Sequence, residues 1–241
     1  MGLPIVFIHG IRVSGTMWDP VRAHLTSPSA APDLPGHGCR RGMPYDMDAA
    51  CEVVAGHITD LGGRALVAGL SLGGYVGIAT AARHPALVAG LVAMGCTAKP
   101  TGSRAAVYRL AGRLAARNPS LAGRLSAYGF RRALPGPVAK AFAAGGVSCE
   151  VVPSVVEAVA AEDPVASLAA YPGRVWLVNG SRDPFRVDEE EFLRACARGS
   201  LTHLPGRGHL TVLADPARIA RFIESAARAG DSTTSMETLA P

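Results

Sequence analysis

Aromatic residues are scarce in this 241-residue chain: Phe, Trp and Tyr together make 5% of it. Single-stranded nucleic acid needs ring platforms on which bases stack, and the basic part of this chain has too few of them. Nucleic acid is therefore not expected as a partner. No apolar run approaches the roughly 18–20 residues that a membrane helix needs, so no membrane span is expected. The chain goes straight into Ile5-Val6-Phe7-Ile8 with no basic stretch before it, which is unlike a secretory leader. No C-x-x-C occurs among Cys39, Cys51, Cys96, Cys149 and Cys196. Their odd number and wide spacing give no support to zinc or thioredoxin-type chemistry, and read as reduced thiols in a cytoplasmic protein. Internal repeats and low-complexity tracts are absent.

One absence is local. Residues 97–149 contain no Asp or Glu but nine Lys and Arg, in a chain whose formal net charge is +5. The excess positive charge therefore sits in one segment, and the remainder is net acidic. Such clustering can mark an anionic substrate, nucleic acid or a membrane surface. Arg109, Arg113 and Arg117 recur every four residues as one helix face, and Val107, Leu110 and Leu114 make the other. The plain reading is a solvated face in a chain with 22 Arg and two Lys. The sharper reading is attraction of an anionic or carrier-bound substrate.

What is present fits an ordinary globular protein, with 49% hydrophobic and 18% charged residues. A short apolar run over 3–8 ends at His9-Gly10 and reads as a buried strand. A weak strand over 29–33 is stopped by Leu34-Pro35-Gly36-His37-Gly38. Further strands are expected over 64–70, 87–94, 174–179 and 200–204. Helices are expected over 47–61, 72–84 and 215–229, with a loop and short helix over 16–25. Alternating strands and helices predict a parallel sheet covered on both faces. Residues 97–165 interrupt the alternation and read as several helices inserted into an α/β core of 1–96 and 166–230. Residues 231–241 are Ser/Thr-rich and expected to fray.

Within 65–77 the chain reads A-L-V-A-G-L-S-L-G-G-Y-V-G, with Ser71 flanked at ±2 by Gly69 and Gly73. By chance alone G-x-S-x-G is expected roughly 0.2 times in a chain so rich in glycine. Its context raises its meaning. A strand enters and a helix leaves, and such a turn exposes a serine hydroxyl only if its neighbours are small. The helix N-terminus also turns positive dipole toward the site. A serine needs a base, and the base an orienting acid. Asp183 follows the strand R-V-W-L-V-N, and His209 lies in the Gly-flanked loop after the next strand, giving the order Ser, Asp, His. Asp163 is the other acid to weigh, but it precedes a strand. The backbone N–H groups of Leu72 and Ile11 are the expected oxyanion donors.

These parts carry a resemblance. V-F-I-H-G at 6–10, D-L-P-G-H-G at 33–38, G-L-S-L-G-G at 69–74, N-G-S-R-D-P at 179–184 and G-R-G-H-L at 206–210 resemble the α/β-hydrolase family over residues 3–228. The resemblance implies an α/β-hydrolase fold with Ser71, Asp183 and His209 as nucleophile, acid and base, and makes 97–165 a helical cap. The chain reaches His9 at once, so a mostly parallel sheet of about six strands is expected, without the family's usual first two. The strand near 29–33 then forms an edge at which a homodimer could pair. G-L-S-L-G-G looks like enol-lactonases and small carboxylesterases, which implies hydrolysis of a small-molecule ester, lactone or thioester with no metal or organic cofactor. The same scaffold also hosts carbon–carbon bond hydrolases, acyltransferases or cyclases, and non-catalytic ligand receptors.

Other residues are assigned plainer roles. His9 is expected to shape the oxyanion loop, and Asp33 and His37 to fix a turn. Met17 and Trp18 are candidates for the pocket wall, or pack beneath the cap. Tyr75 could close the pocket floor but is expected in the helix core, and Cys96 is expected near the site but not as a nucleophile.

Overall fold

The computed structural model describes residues 2–237, with the side chains of 102–105, 108 and 231–237 outside the description. Among the described residues six strands form one all-parallel sheet. They are β1 (Ile5–Ile8), β2 (Ser29–Ala30), β3 (Ala65–Leu70), β4 (Val88–Met94), β5 (Arg174–Gly180) and β6 (Arg198–Leu204), in the spatial order β2-β1-β3-β4-β5-β6. β1, β3 and β4 are buried along their whole length, as continuous apolar runs in a sheet covered on both faces should be. The two-residue β2 is one edge, where the sequence put its weak strand. The order reverses direction beside β1, so the strand ends of β1 and β3 open onto a crevice.

Helices cover both faces. The short α1 (Asp19–Arg22) precedes β2, α2 (Met47–Asp60) and α3 (Leu72–Arg83) pack on one face, and α10 (Pro216–Glu237) packs on the other. The Asp46 side chain caps α2 by accepting from Ala49 N–H at 2.7 Å. Between β4 and β5 lie α4 (Gly102–Arg117), α5 (Pro119–Ala133), α6 (Gly136–Ala144), α7 (Val152–Ala160) and α8 (Pro164–Ala170). α8 packs on α3 beside the sheet, α5, α6 and α7 reach the cavities at the strand ends, and α4 packs on α7 and α5. α9 (Glu189–Ala195) joins β5 to β6.

Two expectations change here. The closing helix runs to Glu237 rather than stopping near 229, since no proline follows Pro216 until the last residue. Residues 231–237 of the expected tail are therefore helical backbone, and 238–241 lie outside the described residues. α4 is also turned relative to its pattern. Gly112 is its buried notch, so close to Val152 that an added methyl would lie 2.9 Å from Cγ1, and Arg109 pairs with Glu157 of α7 at 3.1 Å. Val107, Leu110 and Leu114, the face read as opposite the arginine stripe, are 65%, 60% and 54% exposed.

Candidate active site

Ser71 sits at the sharp turn from β3 into α3 with φ 59° and ψ −116°. Its N–H donates to Met94 O at 2.8 Å, anchoring the turn to the end of β4. A side chain rarely tolerates such dihedrals, so the neighbours must yield space. A methyl on Gly69 would run into the Gly73 carbonyl, and one on Gly73 into the Ile8 carbonyl. The flanking glycines are thus required by backbone approach. Gly74 is pressed instead against the side chain of Cys96.

Asp183 and His209 come from neighbouring loops beyond β5 and β6. Those loops are tied together: Arg182 N–H donates to Arg207 O at 2.8 Å, and Gly206 N–H to Ser181 Oγ at 2.8 Å. The result brings His209 Nδ1 to 2.9 Å from Asp183 Oδ2, with the carboxylate side chain fully buried. Phe185 N–H donates to Asp183 Oδ1 at 2.8 Å, and the Phe185 ring lies on the imidazole with centroids 4.5 Å apart. Asp163, the other candidate acid, caps α8 by accepting from Val165 and Ala166 N–H, each at 3.0 Å.

Two cavities meet at Ser71. The larger, about 140 Å³, is walled by Leu72, Tyr75, Val155, Val156, Val159 and Phe185. The smaller, about 60 Å³, is bounded by Arg12, Met17, Phe130, Phe142 and His209. Ile11 lines both. Ser71 and His209 therefore both face the smaller cavity; of the two expected oxyanion residues Ile11 borders it and Leu72 borders the larger one. Met17 belongs to the wall, and its sulfur accepts the Gly10 N–H at 3.3 Å. Trp18 is a correction: it lines neither cavity and is fully buried with its ring 4.8 Å from Phe7, because the turn at Gly15–Trp18 directs it into the core. Tyr75 is another. It faces the larger cavity, held by a 2.6 Å hydrogen bond from its hydroxyl to Ala98 O.

The H-G loop is built from buried polar groups. His9 Nε2 accepts Leu34 N–H at 2.9 Å, so its Nδ1–H donates to Gly10 O at 2.8 Å. Burial, then the nearby His37, pushes the His9 pKa down to about 3. Asp33 accepts Gly15 N–H at 2.8 Å and Cys39 N–H at 2.7 Å, joining this loop to the turn at 36–38. Burial pushes the Cys96 thiol far up, with Asp183 adding to the effect, so it stays protonated.

The sequence reading missed a support behind the acid–base pair. Gly95 (φ 59°) lies beneath it, and a methyl there would sit 3.0 Å from His209 Nδ1 and 3.1 Å from Asp183 Oδ2. The fully buried Asn179 accepts Gly95 N–H at 3.0 Å through Oδ1 and donates to Thr97 Oγ1 at 2.8 Å and Glu189 Oε1 at 2.7 Å. The signal was available: Gly95 directly follows a strand at the catalytic end, and Asn179 ends the next one. Among the described residues no three His, Cys, Asp or Glu side chains cluster to hold a metal ion, and no helix is long and apolar enough to cross a membrane.

The sequence pattern of the Alpha/beta hydrolase family matches residues 5–222. The chain belongs to that family. A lipase, LipV, of Mycobacterium tuberculosis is 37% identical over 103 residues, which are 42% of this chain and 40% of the relative. A pimeloyl-[acyl-carrier protein] methyl ester esterase of Neisseria meningitidis is 37% identical over 102 residues, 41% of this chain and 39% of the relative. The matches thus span about two fifths of these relatives' lengths. Among solved structures, a thermophilic esterase from Thermogutta terrifontis superposes with a TM-score of 0.79 at 24% identity, covering 95% of this chain and 91% of that one. This last likeness concerns the fold, a six-stranded α/β-hydrolase core under a helical insertion.

Proposed function

We propose that this α/β hydrolase is a serine hydrolase of small carboxylic esters, lactones or thioesters. The observation that carries the reading is the buried Asp183–His209 pair facing the same cavity as a serine held at φ 59°. The Nδ1–H of His209 donates to the carboxylate, which leaves Nε2 free to act as base. Ser71 Oγ attacks the carbonyl carbon as His209 takes its proton. The alkoxide leaves with that proton, and water, deprotonated by His209, releases the acyl group from Ser71. Asp183 holds the tautomer and stabilises the imidazolium. The N–H groups of Leu72 and Ile11 bind the oxyanion, each worth roughly 100- to 1000-fold in rate. The helices α4–α7 act as the cap.

The small cavities favour a small acyl group over a long one, and the apolar wall formed by Val155, Val156 and Val159 suits its hydrocarbon part. The exposed cations of the cap and the carrier-linked ester named for one relative support a carrier-bound ester as a substrate class. A hydrolysis panel of p-nitrophenyl esters, acyl-CoA thioesters and lactones tests the proposal. At least one class should turn over, and Ser71→Ala should lower its kcat by about 10⁶-fold. Hydrolysis that survives Ser71→Ala with less than a tenfold loss would reject it.

A further inference from the structure

The two cavities that meet at Ser71 differ in chemistry. The larger is walled mainly by aliphatic and aromatic groups, and its lysine, Lys99, is paired with Glu191 at 2.8 Å, whereas the smaller counts Arg12 among its lining residues beside Val13, Phe130 and Phe142. Other partly buried arginines meet carboxylates: Arg83 reaches Asp48 at 2.9 Å and Glu162 at 2.8 Å, and Arg186 reaches Glu189 at 3.1 Å. Among the described residues Arg12 forms no ion pair. Its Nη1 donates to Ser126 Oγ at 3.3 Å, a long bond to a neutral group, and its Nε is buried without a partner. A half-buried cation with donors to spare is costly to keep, and an incoming anion offsets that cost.

The backbone adds a second observation. Arg12 (φ 73°) and Ser71 are the non-glycine residues with positive φ among those described, and both border this cavity. Such strain persists only where the surroundings hold it, and it gathers at functional sites. Here Ser148 N–H donates to Arg12 O at 2.8 Å, fixing the loop from the cap side. At about 60 Å³ the cavity has room for roughly four water-sized groups, enough for a carboxylate and one or two carbons.

We propose that Arg12 is a specificity-determining residue that binds a short carboxylate-bearing arm of the substrate in the smaller cavity, while the apolar remainder occupies the larger one. This rests on the serine-hydrolase reading. The substrate class is a monoester of a short diacid, or an ester of a short hydroxy acid. In both, a carboxylate lies one or two carbons from the reacting ester.

Two matched pairs separate those sources. Mono-p-nitrophenyl succinate against p-nitrophenyl butyrate puts the charge on the acyl side. Carboxymethyl butyrate against propyl butyrate puts it on the leaving group. The readout is the charged-to-neutral ratio of kcat/KM, which general damage to catalysis leaves untouched. The native enzyme should favour the charged ester in one pair by about tenfold or more. Arg12→Gln should remove that factor, mainly through KM, and Arg12→Lys should restore part of it. Independently of any variant, succinate should compete for the native enzyme more tightly than the neutral succinamide. Equal ratios in the native enzyme, a preference surviving Arg12→Gln, or equal inhibition by the two compounds overturns the proposal. Turnover of neutral esters without a charge preference defeats the Arg12 inference alone. No turnover of any ester defeats the hydrolase reading and this inference with it.

Discussion

His209 Nδ1 lies 2.9 Å from Asp183 Oδ2, and the carboxylate is fully buried beneath the imidazole. That contact favours the Nδ1–H tautomer, which leaves Nε2 unprotonated, as the proposed role of His209 as base requires. Replacing the carboxylate by an amide keeps the shape but not the tautomer preference. Asp183→Asn should lower kcat by about 10³- to 10⁴-fold while KM changes little. Steady-state kinetics on the best ester decides this, and a loss under tenfold would remove Asp183 from the mechanism.

Gly95 lies under the same pair. Its φ of 59° disfavours a side chain, and a methyl would press on both His209 Nδ1 and Asp183 Oδ2. Gly95→Ala should displace the imidazole, lowering kcat by about 10- to 100-fold, with a stability loss of about 1 kcal/mol. Kinetics and urea unfolding of the same preparation check both numbers. Unchanged kcat would mean that the pair tolerates movement.

Asn179 holds this floor in place through hydrogen bonds to Gly95, Thr97 and Glu189. Asn179→Ala strands buried partners and should cost about 2–4 kcal/mol in urea unfolding. A cost under 0.5 kcal/mol, on the scale of about one weak hydrogen bond, would contradict the network described.

His9 sets a pH dependence. Burial first, and His37 second, lowers its pKa from 6.5 to about 3 in the folded protein. Between those values the unfolded chain binds the extra proton, so stability falls as pH drops through that window and is retained above it. The slope is about 1.4 kcal/mol per pH unit. His37, also held low by burial, adds in the same direction. Urea unfolding at several pH values in this window should show a steeper acid loss in the native protein than in His9→Gln. Equal slopes would contradict the burial argument.

The strand ends of β1, β3 and β4 were legible because buried parallel strands are continuous apolar runs, whereas the exposed edge strand β6 was marked mainly by the glycine-rich loop that follows it. Ser71, Asp183 and His209, the proposed nucleophile, acid and base, were read from the loops after three strands together with the motifs around them. The edge strand was legible as well, since Ser29 and Ala30 sit in a weak apolar stretch cut off by a proline-glycine turn. Side-chain direction was not. Trp18 and Met17 are adjacent, and only the geometry of their turn sends one to the core and the other to the cavity. In α4 the pattern separates an apolar face from a charged one but does not say which meets a neighbour. Gly112, too small to register as apolar, decides that by letting α7 approach. Arg12 was hidden for a related reason: nothing in the sequence sets an arginine beside Ile11 apart from a solvated one until its Nε is found buried without a partner.

The most direct test of the central claim is covalent labelling by a fluorophosphonate, followed by intact-mass and peptide analysis. One adduct per chain is expected, on the peptide containing Ser71, lost in Ser71→Ala and strongly slowed in Asp183→Asn. A native protein that takes no label, or carries it at another residue, would contradict that claim.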